Sequence, residues 1–257
     1  VLSQCLSAGF VLYFLSKKAE YKVRLLYKEE IRTCGKDAKN IVSLGTAGFV
    51  MQLTNSLVSI CCNNVLSATG GDVYVSVMTI ISSVRQMIET PIWSISEGSS
   101  PVISYNYGAK RPKKVIEAWI TMSVLALIYS LIAWSVILFA PKFLIGIFSS
   151  DKSLMIDTVP AMKLYFSAFI FMLFQYTGQT MFKSLNKKKQ AIFFSILRKV
   201  IIVVPMTYMF PYVFHMGSNG VFMAEPVSNV IGGSLCFIVM LLTVLPELKQ
   251  MNSDLSS

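Results

Sequence analysis

The sequence predicts an all-α polytopic membrane helical bundle: six complete transmembrane helices, preceded by the end of another. Two observations carry this. Of the 257 residues 54% are hydrophobic and only 14% charged, with a mean hydropathy of +0.61. The apolar residues also fall in blocks of twenty or more, long enough to cross a hydrocarbon core of about 30 Å, and short charged turns separate them.

The elements follow in order. Residues 1–15 are an apolar block with no initiator Met, no basic flank and no small-residue cleavage site, which predicts the end of a truncated transmembrane helix rather than a signal peptide. Residues 16–40 hold eight Lys or Arg and four Asp or Glu around Val23, Leu25, Leu26 and Ile31, a basic connector of helical pattern. A six-helix lobe is expected over 41–245, its first complete span at 41–66. The turn at 67–72 contains Gly70 and Gly71, and paired glycines supply the positive φ that other residues resist. The second span, 73–105, is too long for a straight crossing and is expected to break at Pro91 and Pro101. A third span covers 115–140, and 141–150 reads as a short interfacial segment. Spans at 154–185, 191–214 and 220–245 complete the lobe, and 246–257 is a polar tail.

Charge fixes the expected orientation. Alternate loops place nineteen Lys or Arg on one side, including Arg198 and Lys199 counted with the 183–189 turn, and three on the other. The positive-inside bias then makes the connector and the tail cytoplasmic; the expected location is a bacterial plasma membrane. Arg85 is left inside the bilayer. The net charge of +10 does not indicate nucleic acid, because the basic residues stand in turns between apolar blocks rather than on one soluble face. The expected surroundings are lipid.

Several spans carry polar groups. Gln52, Asn55, Ser56, Ser59 and Asn63 recur every three or four residues and form one stripe, suited either to an amide-bonded helix interface or to a hydrated cavity. Arg85 and Glu89 are four apart and can neutralise each other as a structural pair. Glu97 lies four residues before Pro101, whose ring frees the Glu97 carbonyl, so the residue reads either as a cation or proton site or as a glutamate reaching water at the interface. Gln175, Gly178 and Gln179 interrupt an aromatic-rich run, and Glu225 stands beside Pro226 with Asn229 one turn on. The coupling candidates are therefore Glu97, Glu225 and Glu89. The cavity-lining candidates are Gln52, Asn55, Ser59, Asn63, Arg85, Gln175, Gln179 and Asn229. Most of the aromatics suit packing or an interfacial belt, and a minority facing a cavity suit cation–π contact.

Catalysis finds no support. Cys5, Cys34, Cys61, Cys62 and Cys236 are odd in number and form no CxxC pair, so neither a disulfide framework nor a metal set is expected. His215 is the single histidine, no Asp lies deep within a span, Asp157 standing in the first turn of the one at 154–185, and no HExxH or GxSxG occurs. The expectation is a protein that is not an enzyme and has no cofactor beyond a coupling ion.

The run Gly98-Ser99-Ser100-Pro101-Val102-Ile103-Ser104-Tyr105-Asn106-Tyr107-Gly108-Ala109-Lys110 resembles the signature that ends the eighth of twelve spans in multidrug and toxin extrusion (MATE) transporters. The Lys-rich turn at 183–189 and the segment Gly220-Val221-Phe222-Met223-Ala224-Glu225-Pro226-Val227-Ser228 resemble later family features in the same order. The resemblance covers the whole chain. It implies the second six-helix lobe of an antiporter that exports organic cations or drugs by alternating access on a proton or sodium gradient, its partner being a missing N-terminal lobe. Set against the family, Asn55 and Gln175 stand where some members carry cation-binding carboxylates, many members have Gln at the place of Glu97, and Asn229 replaces a usual Asp or Glu. Coupling then falls to the missing lobe or to Glu97 or Glu225. The alternative is a flippase of the wider exporter superfamily moving a lipid-linked saccharide. Excess basic residues in the lumen would favour it, and the sequence places only Arg85 there.

Overall fold

The structure is a computed structural model that describes residues 2–18, 35–149 and 151–254; all regular structure among them is helical. The chain divides into two units, Val1–Gly48 and Phe49–Ser257. In the first, helix α1 (Leu2–Tyr13) continues into a π-helical turn, Phe14–Lys18, with Lys17 over the Tyr13 ring. Most of the expected connector lies outside the described residues.

Helix α2 is Gly35–Gly108, and it is two helices joined at Gly71, the one residue within it with non-helical backbone angles (φ 69°, ψ −169°). Of the paired glycines, Gly71 alone uses the conformational freedom of the residue. Gly70 is required for space: a Cβ there would collide with Ser218 and come within 2.6 Å of the Tyr74 ring. The expected breaks at Pro91 and Pro101 do not occur, since the helix runs through both to Gly108. Each proline removes one N–H without forcing an exit from helical angles.

The remaining helices are α3 (Pro112–Phe139), α4 (Pro141–Phe148), α5 (Lys152–Tyr165), α6 (Phe171–Ser184), α7 (Lys188–Ile196), α8 (Val204–Tyr212), α9 (Ser218–Ser228) and α10 (Ser234–Asp254). The span expected over 154–185 is thus α5 and α6 with a looser turn at 166–170. The expected polar tail begins as helix: α10 continues through Pro246, buries Leu248, and places Glu247 where the Tyr107 hydroxyl donates to it at 2.6 Å and Lys187 pairs with it.

Helix ends follow from local chemistry. At Lys110 (φ 53°) and Asn186 (φ 59°) the backbone turns left-handed, and the next amide reaches back, Arg111 N to Asn106 O and Lys187 N to Phe182 O. These Schellman closures satisfy the last carbonyls of α2 and α6. Asp151 caps α5. The Ser153 hydroxyl and amide both donate to its carboxylate and hold it below the usual carboxylate range. A depressed value means the cap stabilises above the unfolded pKa and is lost as pH falls through the folded one.

Two π-helical segments, Leu197–Val203 between α7 and α8 and Asn229–Gly233 between α9 and α10, face each other across the second unit. Such segments are uncommon and are frequent at functional sites. Glycines permit the approach. A Cβ on Gly232 would sit 2.9 Å from Arg198 Cγ, and one on Gly233 would sit 2.5 Å from the carbonyl oxygen of Phe171. Gly233→Ala is therefore expected to cost about 1–3 kcal/mol, because the obstacle is backbone. Gly146→Ala, which faces open space, serves as the control in thermal unfolding in detergent.

The core of the second unit is two clusters. One joins α2 (Val58 to Ile92) to Ala126, Ala133 and Ile137 of α3, to α4, α5 and Phe166–Leu173, and to Val203, Val221 and Phe222. The other joins Ile103, Val115 and Met122 to Phe182, Phe194, Cys236, Met240 and Leu248. Outside them Leu125, Ile128, Ile132, Phe139, Ile201, Ile238 and Leu242 are exposed. In water that would be an aggregating surface; in a bilayer it is the solvent-matched one. Among the described residues four helices are long and apolar enough to cross a membrane: Gln52–Gly108, Pro112–Phe139, Lys188–Tyr212 and Ser218–Ser253.

Candidate functional site

Between the two apolar clusters, on both the α7–α8 and α9–α10 segments, the chain switches to charge. The first π-helical segment carries Arg198 and Lys199, and the end of α9 carries Glu225, all less than a tenth exposed. Arg85 reaches the same point from α2. One oxygen of Glu225, Oε1, lies 3.0 Å from Arg85 Nη2, 3.1 Å from Arg198 Nη1 and 3.3 Å from Lys199 Nζ. Around that oxygen the other partners are arranged. Arg198 Nη1 also donates to Asn229 Oδ1 at 2.7 Å, and Arg85 Nη1 donates to the Tyr165 hydroxyl at 2.7 Å, its guanidinium lying 5.8 Å from that ring. Arg85 Nε pairs with Glu89, whose other oxygen accepts from the Tyr176 hydroxyl at 3.3 Å. Burying so many charges is tolerated only because each has an opposite partner.

The cluster forms one wall of a cavity of about 610 Å³. Arg85, Glu89, Lys199 and Glu225 line it, with the polar stripe of the first complete span opposite in sequence: Gln52, Asn55 and Ser59. Trp93, Tyr165 and Tyr176 give it aromatic surface. The stripe is thus a cavity lining for those three residues. Asn63 is exposed and is not part of the lining.

Other expected residues lie elsewhere. Gln175 and Gln179 are buried against α7, their Nε2 atoms 3.5 Å from the Phe194 and Ala191 carbonyls, and neither lines the cavity; they pack one helix on the next. Asn229 acts on the cavity only through Arg198. Glu97 sits toward the end of α2 and forms a 2.8 Å ion pair with Lys183, both side chains more than a third exposed. It is not in a helix break, and it is not in this cavity. Glu97→Gln is expected to change stability by less than about 1 kcal/mol, the usual worth of an exposed pair, in the same thermal assay.

Two residues were missed. The loop count groups Arg198 and Lys199 with the Lys-rich turn, yet they stand nine and ten residues beyond it inside an apolar run and are buried. Their position between Leu197 and Val200, well inside the expected fifth span, was the available signal. The basic content of the interior rises from one residue to three.

A helical membrane bundle whose buried charges line a cavity is an architecture that secondary transporters use. The MatE family model matches residues 48–209, more than half of the chain, and the chain belongs to that family of transporters. Solved structures agree in fold. A MATE protein in a bent conformation superposes with a TM-score of 0.81 at 18% identity, over 100% of this chain and 55% of that one. A MOP-superfamily transporter from Pyrococcus furiosus, described as having a binding pocket of reversed polarity that suggests a different function, gives 0.83 at 20%, over 98% and 55%. An outward-facing multidrug resistance MATE transporter gives 0.81 at 19%, over 98% and 55%. The chain spans about half the length of these structures. No curated protein matches the sequence.

Proposed function

We propose that this chain is one six-helix lobe of a secondary active exporter that moves a small organic solute across the membrane by alternating access. Proton or sodium is the coupling ion, and Glu225 is the residue of this lobe on which coupling acts. The observation that carries the reading is the single Glu225 oxygen held by Arg85, Arg198 and Lys199 at the wall of the cavity. A carboxylate with that many partners gives two arrangements of the bundle different affinities for a proton, a cation or a cargo, and such a difference is what coupling requires. Glu89 lines the same cavity and is the second candidate.

The family resemblance brings an organic cation or drug as cargo. The alternative, a flippase for a lipid-linked saccharide, is favoured by one specific observation: Arg198 and Lys199 join Arg85 in the interior.

The test uses the full-length protein in proteoliposomes with an imposed pH or sodium gradient. Gradient-driven accumulation of a fluorescent solute is expected, and Glu225→Gln is expected to uncouple it, leaving flux that no longer responds to the gradient. Accumulation equally steep in that variant would remove Glu225 from coupling.

A further inference from the structure

We infer that the cargo of this cavity carries an anionic group, a carboxylate, sulfonate or phosphate ester, on an aromatic or amphiphilic body, and that Lys199 and Arg85 receive it. This rests on the exporter reading and adds to it the sign of the cargo's charge.

The formal charges of the cluster do not cancel when Lys199 is protonated: Arg85, Arg198 and Lys199 then face Glu89 and Glu225 with one positive charge in excess, and the two guanidiniums cannot be discharged. Hydrogen-bond capacity is unequal in the same sense. Lys199 Nζ, with three donors, has one acceptor among the described residues, and that oxygen is already shared with Arg85 and Arg198. The Arg198 Nε–H is buried and meets no acceptor among the described residues. Donors and positive charge are thus both in surplus at one wall.

Access selects which groups meet a cargo. Lys199 and Arg85 line the cavity together with Glu89 and Glu225, so the lining charges balance, and Arg198, outside the lining and beside Glu225, supplies the uncancelled charge. A cation entering beside Arg85 and Lys199 would add to an excess that low dielectric magnifies; an anion relieves it and takes up the spare donors. Trp93, Tyr165 and Tyr176 offer ring surface for the body of the molecule, and the cavity, about 610 Å³, is of a size for a drug-like solute. The anionic group can belong to a soluble compound or to a lipid headgroup.

The experiment reconstitutes the full-length protein in vesicles and offers three probes. Carboxyfluorescein and rhodamine 123 share a ring system and differ in charge, and a fluorescent phosphatidic acid carries a lipid-borne phosphate. The expected result is a preference of about tenfold or more for an anionic probe over rhodamine 123, reduced about tenfold by Lys199→Gln. Lys199→Arg, which keeps the charge, and Lys114→Gln, on an exposed side chain, should both retain it. Movement of carboxyfluorescein identifies a soluble cargo; movement of the phosphatidic acid alone identifies a lipid headgroup, and both support the inference. Rhodamine 123 carried alone or equally well overturns it and leaves the exporter reading standing. Transport of none of the three overturns both. Loss of the preference in Lys199→Arg, or its survival in a folded Lys199→Gln, overturns the assignment to Lys199. Carboxyfluorescein binding to the detergent-solubilised variants keeps these comparisons decisive where vesicle flux is low.

Discussion

Glu225→Ala is expected to destabilise the protein by about 3–5 kcal/mol, the cost of stripping a buried ionic group of its counter-charge. The reason lies in the sharing of one oxygen: a single truncation leaves Arg85 with Glu89 and Tyr165, Arg198 with Asn229 alone, and Lys199 with no carboxylate within bonding distance among the described residues. Thermal unfolding in detergent followed by tryptophan fluorescence measures it. Glu117→Ala, an exposed member of the pair with Lys114, gives the baseline for a surface carboxylate. Adding Lys199→Met to Glu225→Ala should recover part of the loss, because it removes one of the stranded charges. A Glu225→Ala protein that melts within about 0.5 kcal/mol of the parent, as ordinary surface substitutions do, would mean the cluster does not exist.

Arg85 and Glu89 are expected to give unequal single losses and a positive coupling. Arg85→Met leaves Glu89, a half-buried carboxylate, with only the Tyr176 hydroxyl among the described residues, and should cost about 2–4 kcal/mol. Glu89→Gln is milder, about 1–3 kcal/mol, since Arg85 retains Glu225 and Tyr165. Removing both together should cost less than the sum by about 0.5–3 kcal/mol, and exchanging the two residues should restore part of the stability. Two single variants and a double variant that melt alike would show that the pair carries no energy.

These two experiments bear on a site that was only partly legible in the sequence. Arg85, Glu89 and Glu225 were noticeable because a charge within an apolar block is costly wherever it lies. The stripe of Gln52, Asn55 and Ser59 was visible through its spacing, which fixes a common face without naming what that face meets. Arg198 and Lys199 were equally charged and equally embedded, but the Lys-rich turn nearby absorbed them into a loop count. Glu97 shows the opposite error. Its neighbouring proline suggested irregular backbone at depth, whereas the helix passes through Pro101 and the carboxylate meets Lys183, eighty-six residues away in sequence.

The sequence by itself determined the class of solvent, the all-helical fold and many of the helix boundaries, because hydropathy and 3.6-residue periodicity act locally, and it carried the motif by which the family is recognised. Even the turns obeyed local chemistry: Gly71, Lys110 and Asn186 take left-handed angles where helices end or change direction. The tertiary structure alone decided the partners. Gly232 and Gly233 let two π-helical segments and α6 approach closely enough for Arg198 to reach Glu225 and Asn229, and Arg85 arrives from a helix more than a hundred residues earlier. A helix's own sequence states which side is polar; which charge it will meet depends on the rotation and depth at which packing sets it against the others, and those are properties of the whole bundle.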